Sequence, residues 1–323
     1  MSEVVMHAII DALLESEEPS IRYKTLARVL GKAEDDPHTQ LAREQVRGSA
    51  RVAQLLSQRD ANGRIPGGAY AKWTGAHWVL AALADLGYPP GDISLIPLRE
   101  QVLSWLFSRK HLDSVVAIEG RVRRCASQEG NALYALLSLG LGDERTDMLA
   151  LRLISYQWPD GGWNCDKRPA AHNSSFMESL IPLRALALHA RLTGSRESQA
   201  AATRSVEVFL SRGLYRRRRD GSPIHPEFLR LHYPCYWHYD ILFGLTVMAE
   251  AGFIHDQRCQ GALDQLEAKR LPDGGFPAEG KYYTTTNAKS GRSLVNCGGV
   301  NQRRMNPFVT VEALYVLNEA GRL

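Results

Sequence analysis

A glycine-rich turn recurs along the chain, and an apolar helix rich in small residues is predicted after each copy. The clearest copies are NGRIPGG at 62–68, PDGGWNCD at 159–166 and PDGGFPAEG at 272–280, with a weaker RDGSP at 219–223. The apolar helices begin near Trp73, Ser174, Tyr236 and Pro307, and a fifth, near Glu129, follows a loop without the Asp-Gly-Gly element. Repetition on this scale indicates one supersecondary unit stacked on copies of itself.

Amphipathic segments lie between the apolar ones, near residues 38–58, 95–109, 145–157, 196–213 and 256–269. Their apolar positions fall three and four apart, which predicts helices with one buried face. A helix that is apolar nearly all round belongs inside a fold, whereas a helix with a charged face covers the outside. With two N-terminal helices at about 4–16 and 20–30, the alternation predicts an all-α protein. The expected architecture is an α/α toroid of about six helical pairs in inner and outer rings.

The whole chain, 1–323, is expected to form a single toroid domain. Residues 1–36 would supply the N-terminal helical pair that closes the ring. The segment 281–306 has loop composition, and loops of this length are often lids or binding elements. We therefore expect it to lie over the mouth of the central cavity.

The charge, the apolar stretches and the cysteines of the sequence limit which partners and which location the protein is expected to have. The net charge of +4 comes from 39 Lys and Arg against 35 Asp and Glu, and the one dense basic run, at 216–219, is followed at once by Asp220. Nucleic acid is therefore not an expected partner. No stretch approaches the roughly 20 apolar residues of a membrane span, and the amphipathic start is unlike a signal peptide. Five irregularly spaced cysteines argue against a disulfide framework, so we expect reduced thiols and a cytoplasmic location.

Several motifs carry a resemblance to known proteins. The segments QWPDGGW at 157–163 and DGGF at 273–276, with the alternating helices, resemble the superfamily of squalene and terpene cyclases and protein prenyltransferase β subunits. EPSIRYKTLARVLGK at 18–32, EDDP at 34–37, HNSSF at 172–176 and WHYDIL at 237–242 are similar to a bacterial branch labelled squalene cyclase or prenyltransferase-like. The resemblance implies an α/α barrel whose inner helices line a cavity. Fold alone does not fix the reaction.

The catalytic motifs of the superfamily are only partly present. Neither the DxDD acid motif of class II cyclases nor the DDxxD motif of class I synthases occurs in this chain. The YWHY segment at 236–239 resembles the motif that supplies a zinc-binding histidine in prenyltransferase β subunits. The expected D-x-C position reads His172, Asn173 and Ser174 instead. Lanthionine cyclases, another toroid family, bind zinc through two cysteines and a histidine.

Four cysteines precede predicted inner helices: Cys125, Cys165, Cys235 and Cys297. In a toroid these loops converge at one rim, and thiolate and imidazole are favoured zinc ligands. We predict a zinc site formed by Cys125, Cys165 and His238, with Cys235 and Cys297 as further candidates. The alternative is that these side chains fill the core, since buried cysteines are common.

Three further side chains are candidates for acid–base catalysis: Asp240, Asp166 and His172. Asp240 begins an apolar helix, where a carboxylate needs a partner or has a raised pKa. It could move a proton, or it could bind the free N–H groups of the helix. Asp166 is a turn residue that could cap the turn or act as an acid. Asp166, His172 and Asp240 are also reserve metal ligands, or groups that would orient the histidine or accept a proton.

Aromatic residues cluster at the repeat turns, and they suit an apolar or cationic ligand. The candidates for substrate binding are Trp237, Tyr239, Trp73 and Phe176. Aromatic residues at repeat turns can equally form the core of the repeat.

The leading functional hypothesis is a zinc-dependent transferase, cyclase or lyase that acts on an apolar, isoprenoid-like small molecule. A second hypothesis is a metal-free cyclase in which Asp166 or Asp240 supplies a proton. The third is a non-catalytic toroid that binds a lipid or a peptide and holds structural zinc.

Overall fold

The computed structural model describes residues 3–286 and 291–323, and this part of the chain is mostly helical. Its α-helices are α1 (Glu3–Leu14), α2 (Pro19–Lys24), α3 (Pro37–Arg47), α4 (Ala50–Leu56), α5 (Ala76–Asp85), α6 (Ile96–Leu106), α7 (Arg109–Leu112), α8 (Ala126–Ser138), α9 (Glu144–Ser155), α10 (Phe176–Thr193), α11 (Arg196–Leu210), α12 (Ile241–Glu250), α13 (Gln260–Glu267) and α14 (Pro307–Glu319). A π-helical turn, Thr25–Val29, continues α2. The predicted helical class is therefore confirmed. None of the helices in the described ranges has the length and apolarity needed to span a membrane.

The amphipathic segments are shorter than their sequence pattern suggests. The segment near 38–58 forms two helices. Helix α3 ends at Arg47, with Gly48 as its C-cap, and the Ser49 hydroxyl caps α4 by accepting a hydrogen bond from the Val52 N–H at 3.2 Å. The Ser108 side chain caps the start of α7 in the same way, directly after α6 ends. A serine side chain that caps a new helix competes with continuation of the old one.

Two short strands were not predicted. Strands β1 (Val116–Ile118) and β2 (Arg121–Arg123) pair antiparallel. Glu119 and Gly120 connect them with positive φ angles of 50° and 69°. Three residues are too few to show an alternating pattern, so the sequence carries no strand signal here.

The apolar helices pack on one another in chain order: α5 on α8, α8 on α10, α10 on α12, and α12 on α14. Helix α14 contacts α2 and its π-helical extension. Lys24, the last residue of α2, lies 3.9 Å from Asp85 at the end of α5, and the Tyr23 ring packs directly against Gly87. The N-terminal segment therefore lies near both the last apolar helix and the end of α5. The amphipathic helices α6, α9, α11 and α13 pack against α5, α8, α10 and α12, respectively.

The glycine-rich turns share one hydrogen-bonding pattern. In each turn a backbone N–H donates to a carbonyl four or five residues later: Asp60 to Arg64 (2.8 Å), Trp158 to Gly162 (2.8 Å), Arg217 to Ser222 (2.7 Å) and Leu271 to Gly275 (2.9 Å). This common geometry supports the repetition seen in the sequence.

The two Asp-Gly-Gly turns are also tied to the following apolar helix in the same way. The Trp163 N–H donates to Ser179 Oγ at 3.0 Å, and the Phe276 N–H donates to Thr310 Oγ1 at 2.9 Å. Ser179 and Thr310 each lie in the first turn of their helix. Both aromatic rings are buried, so each wedges between helices as a core residue.

Candidate metal centre and central cavity

Two of the three predicted zinc ligands lie together. Cys125 directly precedes α8, Cys165 follows the second glycine-rich turn, and Glu178 is in the first turn of α10. One ligand atom from each of the three residues lies within 4.8 Å of the other two. The Cys165 Sγ is 3.6 Å from Glu178 Oε1, while Glu178 Oε2 accepts a hydrogen bond from the Ser127 N–H at 3.0 Å.

Backbone pairing brings the two cysteine loops together. Arg123 and Asn164 form a parallel bridge, and the Arg124 N–H donates to the Asn164 carbonyl at 3.2 Å. Cys125 and Cys165 follow this bridge closely in their own segments. Residues 40 positions apart in sequence therefore present their thiols to one space without a local CxxC motif.

Each group in this cluster changes the pKa of its neighbours. The hydrogen bond between the two thiols lowers the pKa of Cys125 and raises the pKa of Cys165. Burial raises the pKa of Glu178. Binding of a cation here would require these groups to lose their protons, because metal ligands bind in their deprotonated forms. Two thiolates and one carboxylate form a ligand set that suits zinc and leaves a fourth position open.

His238, the third predicted ligand, does not belong to this cluster. Its ring is stacked between Trp237 and Tyr282, with ring centroids 3.9 and 3.6 Å away. Its Nδ1 lies 3.1 Å from the Cys235 carbonyl, and burial lowers its pKa to about 4. Sequence reasoning missed Glu178, although an acidic residue in the first turn of an otherwise apolar helix is a usable signal.

Asp240 is completely buried and acts as the cap of α12. One oxygen accepts from the Phe243 N–H at 2.8 Å; the other accepts from the His232 N–H at 2.8 Å and lies 3.2 Å from His232 Nδ1. The Cys235 thiol also points at it, at 3.6 Å. The helix-capping alternative is therefore the role that these contacts describe.

His232, which sequence reasoning overlooked, lies between two carboxylates and lines the cavity. Its Nε2 is 3.2 Å from Glu227, and its ring stacks on Tyr282. Burial lowers the pKa of His232, but the hydrogen bonds and charges of Asp240 and Glu227 outweigh burial and raise it above its usual value.

This environment predicts a pH-dependent contribution to stability. Because the folded-state pKa of His232 is raised, its contribution is complete below the unfolded pKa and is lost as pH rises through the folded value. We expect wild-type stability to fall relative to H232Q as pH rises above about 6.5. Urea unfolding of both proteins at several pH values measures this difference. A constant difference between them across that range would contradict it.

Asp166 and His172 lie in the cysteine-bearing loop but face solvent. Asp166 pairs with Arg168 through hydrogen bonds that lower the Asp166 pKa to about 2. The exposed His172 ring lies 3.8 Å from Glu119. Neither side chain joins the cysteine cluster.

The predicted substrate-binding aromatics occupy different environments. Trp73 lines the central cavity and stacks on Tyr236 at 3.8 Å. Trp237 stacks on His238 and lies under the Lys72 ammonium at 4.8 Å from its ring centroid. Phe176 and Tyr239 pack with each other in the core, where the Tyr239 hydroxyl donates to the Leu214 carbonyl at 2.6 Å. Only Trp73 of the four lines the cavity.

The central cavity has a volume of about 110 Å³. Its apolar wall includes Leu55, Trp73, Leu242, Val295 and Val309. Ser293, Val295 and Cys297 come from the predicted lid segment 281–306, of which residues 287–290 lie outside the described residues. Cys235 also lines the cavity, and burial raises the pKa of both cavity thiols. They are therefore neutral, and neither joins Cys125 and Cys165.

A buried network of charges closes one side of this cavity. Glu312 pairs with Lys24 at 2.9 Å and with Arg28 at 3.2 Å. Glu250 pairs with Arg28 at 2.9 Å and with Arg184 at 2.7 Å. Arg184 lines both the central cavity and a second cavity of about 310 Å³. The network therefore lies between the two spaces.

The structure thus contains two candidate functional features, a thiol–carboxylate cluster and a mainly apolar cavity. Tyr70 lies beside the cavity, because its ring packs 5.2 Å from that of the cavity residue Trp78. Burial, with smaller contributions from Glu178, Cys125 and Cys165, raises its pKa to about 12. Comparison with protein-family models, curated proteins and solved structures gives no significant match. The functional argument accordingly uses the geometry of these two features.

Proposed function

We propose that this protein is a zinc-dependent enzyme whose metal is held by Cys125, Cys165 and Glu178. The observation that carries the proposal is the convergence of these three ligand atoms within 4.8 Å. The Ser127 N–H supports it by orienting the carboxylate, as a second set of contacts usually does around metal ligands. His238, part of the ligand set first predicted, is replaced by Glu178 in this proposal.

We further propose an α/α toroid, in which the apolar helices form the inner ring around the central cavity. The chain-order packing of α5, α8, α10, α12 and α14, with α2 near both α14 and the end of α5, supports this arrangement. The single-domain organisation and the cytoplasmic location stay predictions.

The proposed substrate is a small apolar molecule bound in the central cavity, as in a cyclase, lyase or transferase. Bound zinc would supply a Lewis acid or lower the pKa of a coordinated nucleophile. Tyr70 is suited to hold a proton nearby, since burial, together with the neighbouring acidic groups, raises its pKa to about 12. A neutral phenol can donate a hydrogen bond at physiological pH.

The metal-free cyclase hypothesis has less support from the geometry. It requires Asp166 or Asp240 as the acid, but neither lines the cavity. Asp166 is paired with Arg168 at the surface, and Asp240 already accepts from two backbone N–H groups. A non-catalytic toroid with structural zinc predicts four protein ligands, whereas this cluster supplies three.

Metal binding tests the proposal directly. We expect the metal-stripped full chain, with its thiols kept reduced, to bind one equivalent of zinc. Cys165→Ala and Glu178→Gln should each weaken binding by about 10-fold or more, because each removes a ligand. Calorimetric titration with zinc measures the stoichiometry and affinity.

Two matched variants serve as controls. Cys259→Ala removes a buried thiol outside the cluster, and His238→Gln removes the ligand that sequence reasoning favoured. Both should bind zinc as the wild type does. Absence of zinc binding, or equal binding by Cys165→Ala, would refute the proposed metal centre.

A further inference from the structure

Three hydrogen-bond donors on the cavity wall have no partner within the described chain. They are Trp78 Nε1, Asn131 Nδ2 and Thr246 Oγ1. The residues are almost fully buried, with exposed fractions of 1%, 9% and 3%. They come from three helices, α5, α8 and α12, that surround the same 110 Å³ space.

Unpaired buried donors are unusual in a folded protein, since each lost its hydrogen bonds to water on folding. Three such donors on the wall of one small cavity indicate that a bound molecule accepts hydrogen bonds from this wall. The indole N–H of Trp78 can only donate, and the unpaired amide nitrogen of Asn131 also donates. The missing partner is therefore an acceptor, and a carbonyl oxygen can accept two such bonds.

The charges around the cavity indicate that this acceptor is neutral. Glu312 and Glu250 are each paired with two cations, Lys24 and Arg28 or Arg28 and Arg184. Asp85, also on the wall, accepts from the Tyr233 hydroxyl. Asp85 also lies 3.9 Å from Lys24, so the three cations of this network face three carboxylates. Within the described part of this network no cation is in excess to neutralise a buried anion, which would be costly without a partner.

The size of the cavity restricts the ligand further. A dry protein cavity of about 150 Å³ accommodates benzene. The space of about 110 Å³ is of the same order and is partly open, so a compact body of roughly six or seven non-hydrogen atoms can occupy it and extend into its opening. Apolar side chains such as Leu55, Leu242 and Val309 form the wall for that body.

We propose that the cavity recognises a small, uncharged molecule with an apolar body and a single carbonyl oxygen, which accepts hydrogen bonds from Thr246 and from either Trp78 or Asn131. This rests on the proposed function, because it identifies the substrate class of the proposed enzyme. The expected substrate is then a ketone or an aldehyde, and not a pure hydrocarbon.

Two probes of similar size separate the carbonyl from the apolar body. Cyclohexanone carries the acceptor oxygen, and benzene does not. We expect the metal-stripped full chain to bind cyclohexanone in the millimolar range, as suits so small a ligand, and to bind benzene more weakly. Ligand-observed NMR titration in the presence of a chelator measures both affinities.

Thr246→Val removes one donor while preserving the shape of the side chain. We expect it to weaken cyclohexanone binding about 3- to 10-fold and to leave benzene binding unchanged. The free variant should be at least as stable as the wild type, because an unpaired buried hydroxyl has been removed. A purely structural role for Thr246 would instead lower stability.

Ser205→Ala is the matched control, since its hydroxyl is also buried and unpaired among the described residues but lies on α11 outside the cavity. It should change neither affinity. Equal binding of the two probes by the wild type, no binding of cyclohexanone, or no effect of Thr246→Val would overturn the proposal. Because zinc is absent from this experiment, its outcome is independent of the zinc titration.

Discussion

Replacing Glu250 by glutamine is expected to destabilise the protein by about 3 to 5 kcal/mol. Glu250 lies between the guanidinium groups of Arg28 and Arg184, whose side chains are only 20% and 9% exposed. Burial raises the pKa of Glu250, but the two arginines outweigh burial and lower it, so the carboxylate is charged at neutral pH. Arginine does not lose its proton in proteins. The variant therefore leaves buried positive charge without its counterion.

Urea unfolding at pH 7 measures this loss. Glu207→Gln is the matched control, because Glu207 pairs with Arg258 at the exposed surface and should cost less than about 1 kcal/mol. Arg184→Gln combined with Glu250→Gln should recover part of the lost stability, since it removes one of the uncompensated charges. Equal effects of Glu250→Gln and Glu207→Gln would show that the buried network does not stabilise the helical assembly.

Trp163→Ala should destabilise the protein by about 3 to 5 kcal/mol. The Trp163 ring is 1% exposed, and its Nε1 donates to the Leu153 carbonyl at 2.9 Å. Truncation leaves a large cavity beside α9 and α10 and removes one of the hydrogen bonds of the Leu153 carbonyl, which keeps the Tyr156 N–H at 3.2 Å. The glycine-rich turn that precedes Cys165 loses its anchor at the same time.

Trp237→Ala provides the comparison, because Trp237 is only half-buried and its indole N–H has no partner in the described structure. Thermal or urea unfolding should show a clearly smaller loss for this variant. If Trp163→Ala were no more destabilising than Trp237→Ala, the turn would not be the structural anchor of its repeat.

The helices and repeats could be predicted because their signals are local. Glycine-rich turns, apolar helices and amphipathic helices each follow from residues within one short window. The breaks at Ser49 and Ser108 were missed because a hydroxyl cap interrupts a periodic pattern without changing it. The hairpin of β1 and β2 was missed because each strand has only three residues.

The candidate site was harder to predict because it depends on contacts between distant segments. The placement of Cys125 and Cys165 before apolar helices gave a usable signal, and the structure brings the two thiols together. The choice between His238 and Glu178 depends on how α10 and the loop before α12 are oriented relative to the two cysteine loops, which no local pattern encodes. Similarly, the sequence left open whether Asp240 moves a proton or caps a helix, and only its contacts with His232 and Phe243 favour capping.

The most direct test of the central claim is X-ray absorption spectroscopy at the zinc edge of the zinc-loaded full chain. Coordination by Cys125, Cys165 and Glu178 predicts two sulfur atoms at about 2.3 Å and oxygen at about 2.0 to 2.2 Å. Cys165→Ala should reduce the sulfur contribution to one atom. A first shell without sulfur, or one unchanged in Cys165→Ala, would contradict the proposed metal centre.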